Sequence, residues 1–450
     1  MLVKSTFKAI ILSSTFAILS ISHGYAADLP SGKSNPIEYV RVCSSHGQGF
    51  FYVPGTDTCL RVSGRVRAEY RYNERFSRAD DVTGFRARGR LNIDARTQTA
   101  YGTLRAYARY ELTGDTGAYG SALTSVNQTK SLVEKAFIQF AGITAGRTQS
   151  FFDFYADEYN WQDLRGSDNY SQNLLAYTFT FGSGFSATLS LEDAVQRRAA
   201  NLVQPTSIIY AGERMPDMVG ALRVDQSWGS LQISAALHQL QSLNTKPAVG
   251  GVSQYVDTEY GFALQGGFKV NLPMLATGSA FSLQGTYVNG AIGYLTAQHL
   301  PLSGSATSPA LTTGYVSVSN SDAYVNGVGQ LKTTKGYAIT GALLHYWMPQ
   351  VRQSFFTSYM HLDYANSVSS PIGINGAAPA GAIVDQNEWR IGSNIIWSPV
   401  KGLDIGMETI YVHLDPKGRI TTNVNYNPVV TKTVSSDGAW EARLRIQRDF

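Results

Sequence analysis

The chain has 450 residues, 16% of them charged, with a formal charge of +4 at pH 7, 43 glycines, 26 tyrosines and two cysteines. So balanced a charge argues against nucleic acid as a partner, and past the first residues no apolar run approaches the ~18 needed for a transmembrane helix. A mean hydropathy of −0.13 with 12% aromatic residues suits a chain that folds with one wet face and one apolar face.

The start reads as an export signal. Lys4 and Lys8 form a basic lead, residues 9–21 an apolar stretch, and Gly24-Tyr25-Ala26 a small-residue cleavage site, with cleavage after Ala26 or Ala27. Residues 1–26 are therefore assigned to the signal, and its removal leaves a charge of about +2. Residues 27–57 form a lead-in, polar at first and then compact, with the turn Pro54-Gly55-Thr56-Asp57. In an exported chain Cys43 and Cys59 are most simply one disulfide. The alternative is two free thiols, since a metal site would need further ligands nearby.

Residues 58–450 read as strands. In 58–72, Val62, Val66, Ala68 and Tyr70 alternate with Arg61, Arg65, Arg67, Glu69 and Arg71. In 83–96, Phe85, Ala87, Leu91 and Ile93 alternate with Arg86, Arg88, Arg90 and Asp94; in 101–112, Leu104, Ala106 and Ala108 alternate with Arg105, Tyr107 and Arg109. Further strands are expected near 131–140, 143–149, 173–181, 185–193, 216–226, 230–240, 258–270, 279–290, 335–347, 353–364, 386–397, 402–413 and 439–450. That makes sixteen.

The last strand is the clearest. Trp440, Ala442, Leu444, Ile446 and Phe450 alternate with Glu441, Arg443, Arg445, Gln447 and Asp449 over about ten residues bounded by aromatics, the length that crosses a bilayer at a tilt. Only Arg448 interrupts the apolar row, near the interface where it can snorkel. The connections alternate too. After even strands they are short (97–100, 141–142, 182–184, 227–229, the Pro273 and Pro349 turns, 398–401), and after odd strands they are long, the longest spanning 291–334. Short periplasmic turns and long external loops are the habit of a transmembrane β-barrel. The fold expected is an all-β, sixteen-stranded antiparallel barrel in the outer membrane, wide enough to hold an aqueous channel.

Four stretches carry a family resemblance. They are Glu38-Tyr39-Val40-Arg41-Val42-Cys43 with the run from Gly47 to Val62 enclosing Cys59, Met215-Pro216-Asp217-Met218-Val219-Gly220, the turn Trp228-Gly229-Ser230, and Arg445-Ile446-Gln447-Arg448-Asp449-Phe450. They resemble the alphaproteobacterial porins from signal to last residue. The resemblance implies a homotrimer of barrels in outer-membrane lipid, passing small hydrophilic solutes and ions by diffusion. It implies that the third external loop, residues 150–172, folds into the lumen as a constriction, and that Phe450, with Trp440, is read during assembly.

The loop holds Asp153, Asp157, Glu158, Asp163 and Asp168, with Phe151, Phe152, Phe154, Tyr155, Tyr159 and Trp161 among them. Arg65, Arg67, Arg90, Arg105 and Arg109 lie on the lumen rows, with Arg147 just before the loop. Acids folded in opposite arginines would set a transverse field across the water-filled gap, and arginine stays charged there. The plainer alternative has the arginines solvating a wide lumen beneath an exposed acidic loop. The seven histidines are scattered and form no catalytic or metal-ligand spacing, so an enzyme and a cofactor are not expected. His345 sits beside Trp347 on an apolar row, an interfacial place. The competing function is an adhesin or structural barrel that works through its external loops.

Overall fold

The computed structural model describes residues 41–74, 81–119, 127–166, 171–200, 207–248, 252–296, 310–313, 316–364, 378–379, 383–424 and 430–450. The expected signal, the first part of the lead-in and Asp168 lie outside them. Sixteen long antiparallel strands form the wall: β1 Thr58–Asn73, β2 Thr83–Thr99, β3 Gly102–Asp115, β4 Gln128–Phe140, β5 Ile143–Gln149, β6 Ser171–Gly182, β7 Phe185–Glu192, β8 Asp217–Gln226, β9 Gly229–Leu240, β10 Glu259–Asn271, β11 Ala280–Asn289, β12 Lys335–Met348, β13 Val351–Asp363, β14 Gln386–Val400, β15 Leu403–Pro416 and β16 Asp437–Asp449. Each pairs with its neighbour in sequence, and β16 pairs back onto β1 from Arg65↔Asp449 to Asn73↔Glu441. Closure removes both sheet edges, so the backbone polar groups in the bilayer are satisfied between strands.

The wall is turned inside out relative to a water-soluble core. On β9, Leu231, Ile233 and Leu237 face outward, while Ser230, Gln232, Ser234 and His238 face in; Ile233 is 60% accessible and Gln232 4%. Period-two alternation produces this directly. Aromatic pairs ring the external end, with Tyr359–Trp389 at 4.3 Å, Tyr411–Trp440 at 5.0 Å and Tyr70–Phe85 at 5.1 Å between centroids. At the opposite end His345 and Trp347 meet edge to face at 4.6 Å. Such belts mark the two interfaces of a bilayer.

Several strands run past the ends predicted from alternation. β4 begins at Gln128, where Gln128, Thr129 and Lys130 pair with Asp115, Gly114 and Thr113. Above the apolar band both faces meet water, so pairing continues without an alternating side-chain signal. At the periplasmic end a Cβ on Gly184 would lie 2.0 Å from the Asp225 carbonyl, which fixes glycine in that turn. At closure the Phe450 amide donates to the Gly64 carbonyl at 3.0 Å, and the Phe450 ring covers Gly64, where a Cβ would sit 2.4 Å from the ring.

Cys43 and Cys59 form a disulfide, with Phe51–Tyr52 paired as a short strand against Cys59 and Leu60 at the foot of β1. Phe50 lies beneath two guanidiniums, 4.9 Å from that of Arg96 and 5.9 Å from that of Arg61.

Candidate functional site: a lumen crossed by one loop

Residues 150–166 leave β5 and turn into the barrel. The first anchor is Ser150, whose hydroxyl donates to Glu192 at 2.6 Å. The loop then crosses to the far wall. Ser234 on β9 donates to the Phe152 carbonyl at 2.6 Å, and Gln284 on β11 accepts the Tyr155 amide at 2.9 Å. On β15, Glu408 accepts the amides of Trp161 and Gln162 at 2.7 and 2.9 Å. Arg165 ends the crossing in a bidentate pair with Glu388 on β14, at 2.6 and 3.0 Å, and gives a third bond to the Thr296 carbonyl at 2.7 Å. Main-chain groups crossing a lumen need partners, and polar wall side chains supply them.

The loop lies where the inward rows are small or apolar. Phe154, Tyr155 and Leu164 pack with Ala342, Phe356, Ile410 and Val412 of the wall. A Cβ on Gly267 would lie 2.4 Å from the Phe154 ring, so that glycine makes room for it. Burial and the nearby charges of Asp157 and Glu158 push the Tyr155 hydroxyl well above its ordinary value, keeping it a neutral donor to Asn160.

The long connection between β11 and β12 also turns inward, which the sequence did not suggest. Its short helix Gly293–Thr296 puts Tyr294 against Phe152 at 4.7 Å. Its Asp322 accepts the amides of Ala199 and Ile292 at 2.6 and 2.5 Å and the Tyr210 hydroxyl at 2.6 Å. Together these segments cover the inward residues Val219, Ala236, Ala263, Val288 and Ala338.

The candidate residues separate into groups. Arg65, Arg67, Arg90, Arg109, Arg147, Asp157 and Asp163 line one cavity of about 470 Å³ between the loop and the wall of β16 and β1–β4. Glu158 lies in an adjoining recess with Arg65 and Arg67, and its carboxylate binds Lys269 of β10 at 3.1 Å. Asp153 turns away to Arg197 of the following external loop, at 2.9 Å. Arg105 lies outside the cavity lining, held by Asp94 at 3.0 Å and by Gln139. Asp157 adopts a left-handed conformation (φ 53°) and accepts from Asn160 at 2.7 Å, so its carboxylate also ties the tip of the loop.

Most of the arginine wall is paired within itself. Arg65 binds Asp449 at 2.5 Å, Arg86 binds Asp115 at 2.7 Å, and Arg109 binds Glu134 at 3.2 Å. Arg90 binds Glu111, and Arg445 of β16 binds Glu69 at 2.7 Å. Even so, among the described residues ten basic and five acidic side chains line the cavity. Arg443 and Arg445 were not among the predicted pore residues, although closure by β16 places them beside β1; the signal was their position on the charged row of the last strand. Arg165 and its partner Glu388 are 223 positions apart in the chain, so no local pattern marks them as a pair.

A family model described as a porin subfamily matches residues 30–441. Porin Omp2b of Brucella canis and of Brucella abortus is 32% identical over 237 residues, covering 50% of this chain and 64% of the relative. The match thus spans just under two thirds of those relatives' length. Among solved structures, the outer membrane channel DcaP of Acinetobacter baumannii superposes with a TM-score of 0.60 at 16% identity, covering 89% of this chain and 99% of that one, a likeness of fold. The closed sixteen-stranded wall and the family match over most of the chain agree: the protein belongs to the porin subfamily of bacterial outer-membrane barrels.

Proposed function

We propose that the barrel is a water-filled channel for passive diffusion of small hydrophilic solutes and ions, with residues 150–166 setting its narrowest passage. The observation that carries this reading is the cavity of about 470 Å³ left between the crossing loop and a wall of charged side chains. Charges on both sides of a narrow aqueous gap orient and filter solutes. Arg65, Arg67, Arg90, Arg109 and Arg147 form one bank, and Asp157 and Asp163 the other; Glu158 acts from the adjoining recess. Asp153 and Arg105 act at a distance, through the loop anchor and the periplasmic mouth. The channel works as a homotrimer, as the family resemblance implies, and carries no enzymatic activity. Phe450 and Trp440 serve barrel assembly.

The test is a planar-bilayer recording of the full chain folded in detergent. Stepwise ohmic conductance is expected, with Asp157→Asn shifting reversal potential in a salt gradient toward anions. Both the shift and its Arg65→Gln counterpart should shrink at high salt, because the screening length falls from about 10 Å at 0.1 M to about 3 Å at 1 M. Folded barrel that gives no current would favour an adhesive or structural role.

A further inference from the structure

The inward side chains of β16, β1, β2 and β3 form rows around the barrel, and three successive rows differ in charge. The external row runs Arg445, Glu69, Arg86, Asp115 through direct cross-strand pairs, and every cation has its acid. The periplasmic row runs Asp449, Arg65, Arg90, Glu111, again with an acid for each cation. The middle row runs Gln447, Arg67, Arg88, Thr113, with two guanidiniums and no carboxylate. Like charges directly opposite on neighbouring strands repel. Among the described residues Arg67 is held by the Gln447 side-chain carbonyl alone, at 2.7 and 3.0 Å, and no ion pair reaches it. Arg88 reaches Glu111 only at 3.5 Å, because Arg90 already holds that carboxylate, and the Arg88 Nε is buried with no acceptor among the described residues. Both guanidiniums line the cavity beside the loop.

We propose that Arg67 and Arg88 form an anion station in the lumen, taking the carboxylate or phosphate group of a passing solute. Two neighbouring guanidiniums present planar forks of donors to one tetrahedral or carboxylate anion, the geometry in which charge-assisted bonds are strongest. The bound anion removes the repulsion between the two cations and gives the Arg88 Nε an acceptor. The neighbouring carboxylates, Glu69 and Glu111, keep the site weak enough to release its ligand, as conduction requires.

This inference rests on the channel reading, and inorganic phosphate is the probe. In bilayers bathed in potassium chloride, added phosphate should reduce current in a saturable way. Arg67→Gln and Arg88→Gln should each raise the half-blocking phosphate concentration at least fivefold, with Arg67→Lys intermediate. Arg86→Gln removes the same charge from the paired external row and should change it less than twofold. Heat-modifiable migration checks that each variant is folded. No saturable block in the parent protein, or equal loss of block in Arg86→Gln, overturns the station while leaving the channel reading intact. Absence of any current overturns the channel reading. In that case phosphorus NMR line broadening of phosphate by the folded protein still decides the site: broadening lost in Arg67→Gln/Arg88→Gln supports it, and none in the parent protein overturns it.

Discussion

The wall of β16 and β1–β3 and the wall of β9–β13 share one pleat and one strand geometry, yet their inward rows are opposites. The first carries ladders of arginine and carboxylate, long side chains that hold one another and border the cavity. The second carries Ser230, Gln232, Ser234 and Ala236 on β9, Ala263, Gln265 and Gly267 on β10, and Ala338, Thr340 and Ala342 on β12. Neutral side chains cost less to desolvate than charged ones once their polar atoms are bonded, as Gln232 and Ser234 are to the Phe152 carbonyl. The small ones leave depth for a second layer, so residues 150–166 and the β11–β12 connection lie against that wall. The open cavity of about 470 Å³ is thereby left beside the charged side. What separates lining from seat in this barrel is charge on the inward row, since strand pairing is equivalent on both sides.

The comparison is broken most severely by unfastening the loop from its seat. Glu388 is fully buried between Arg165 of the loop and Arg390 of its own strand, at 2.6 and 2.5 Å. Glu388→Ala leaves two guanidiniums without their carboxylate, a change of the kind that costs about 3–5 kcal/mol. Conductance should rise, and trypsin should gain access to the bond after Arg165. Conductance and protease resistance equal to the parent's would show that the pair does not hold the loop. A smaller disturbance comes from Gly267→Leu, which drives a side chain into the Phe154 ring at a cost of about 1–3 kcal/mol. It should move the front of the loop toward the charged wall and reduce conductance, with Arg165 still protected from trypsin. Cleavage after Arg165 in this variant would mean that the two ends of the loop are not held independently.

Legibility in the sequence follows the same division. Wherever one face met lipid and the other water, alternation exposed the strand, as on β1, β2 and β16, and the parity of short and long connections fixed the barrel. Strand ends were less legible because Gln128, Thr129 and Lys130 pair above the apolar band, where both faces are wet. On the seat wall alternation weakens: Phe356, Met360 and Leu362 of β13 are apolar and face inward beneath the external segments. Charged residues of the loop could be found by type, but their partners could not. Asp153 goes to Arg197 and Glu158 to Lys269, contacts between segments far apart in sequence. The inward turn of the β11–β12 connection was not legible, because the inward residues it covers, Val219, Ala236, Ala263, Val288 and Ala338, read equally well as parts of their own strands.

The hold of that connection on the seat wall should weaken as pH rises. Desolvation holds the Asp322 carboxyl above its ordinary range, opposed by His238 and by hydrogen bonds from Tyr210, Ala199 and Ile292. A carboxyl whose folded-state pKa is raised contributes stability that is full below the ordinary value and lost as pH climbs through the raised one. Limited proteolysis within residues 291–334 should therefore be slower at acid pH than at neutral pH, after correction for the protease's own profile. Asp322→Asn should flatten the difference, separating Asp322 from the neighbouring imidazole. Equal cleavage at both pH values in the parent protein would remove Asp322 from the account.

The smallest effect on conduction is expected from the disulfide at the foot of the charged wall. Cys43 and Cys59 are 16 positions apart, and closing a loop of that size contributes about 3 kcal/mol by restricting the unfolded chain. Cys43→Ser/Cys59→Ser should therefore lower the unfolding midpoint, while the barrel, whose strands satisfy one another's backbone groups, keeps its closure. Phe50 would lose the bridge but keep its place under Arg96 and Arg61, contacts that depend on packing at the foot of β1 and β2. Conductance and reversal potential should then match the parent protein within error. A change in reversal potential on removing the bridge would mean that Arg61 and Arg96 are part of the filter, and that the charged wall selects at its periplasmic mouth as well as beside the loop.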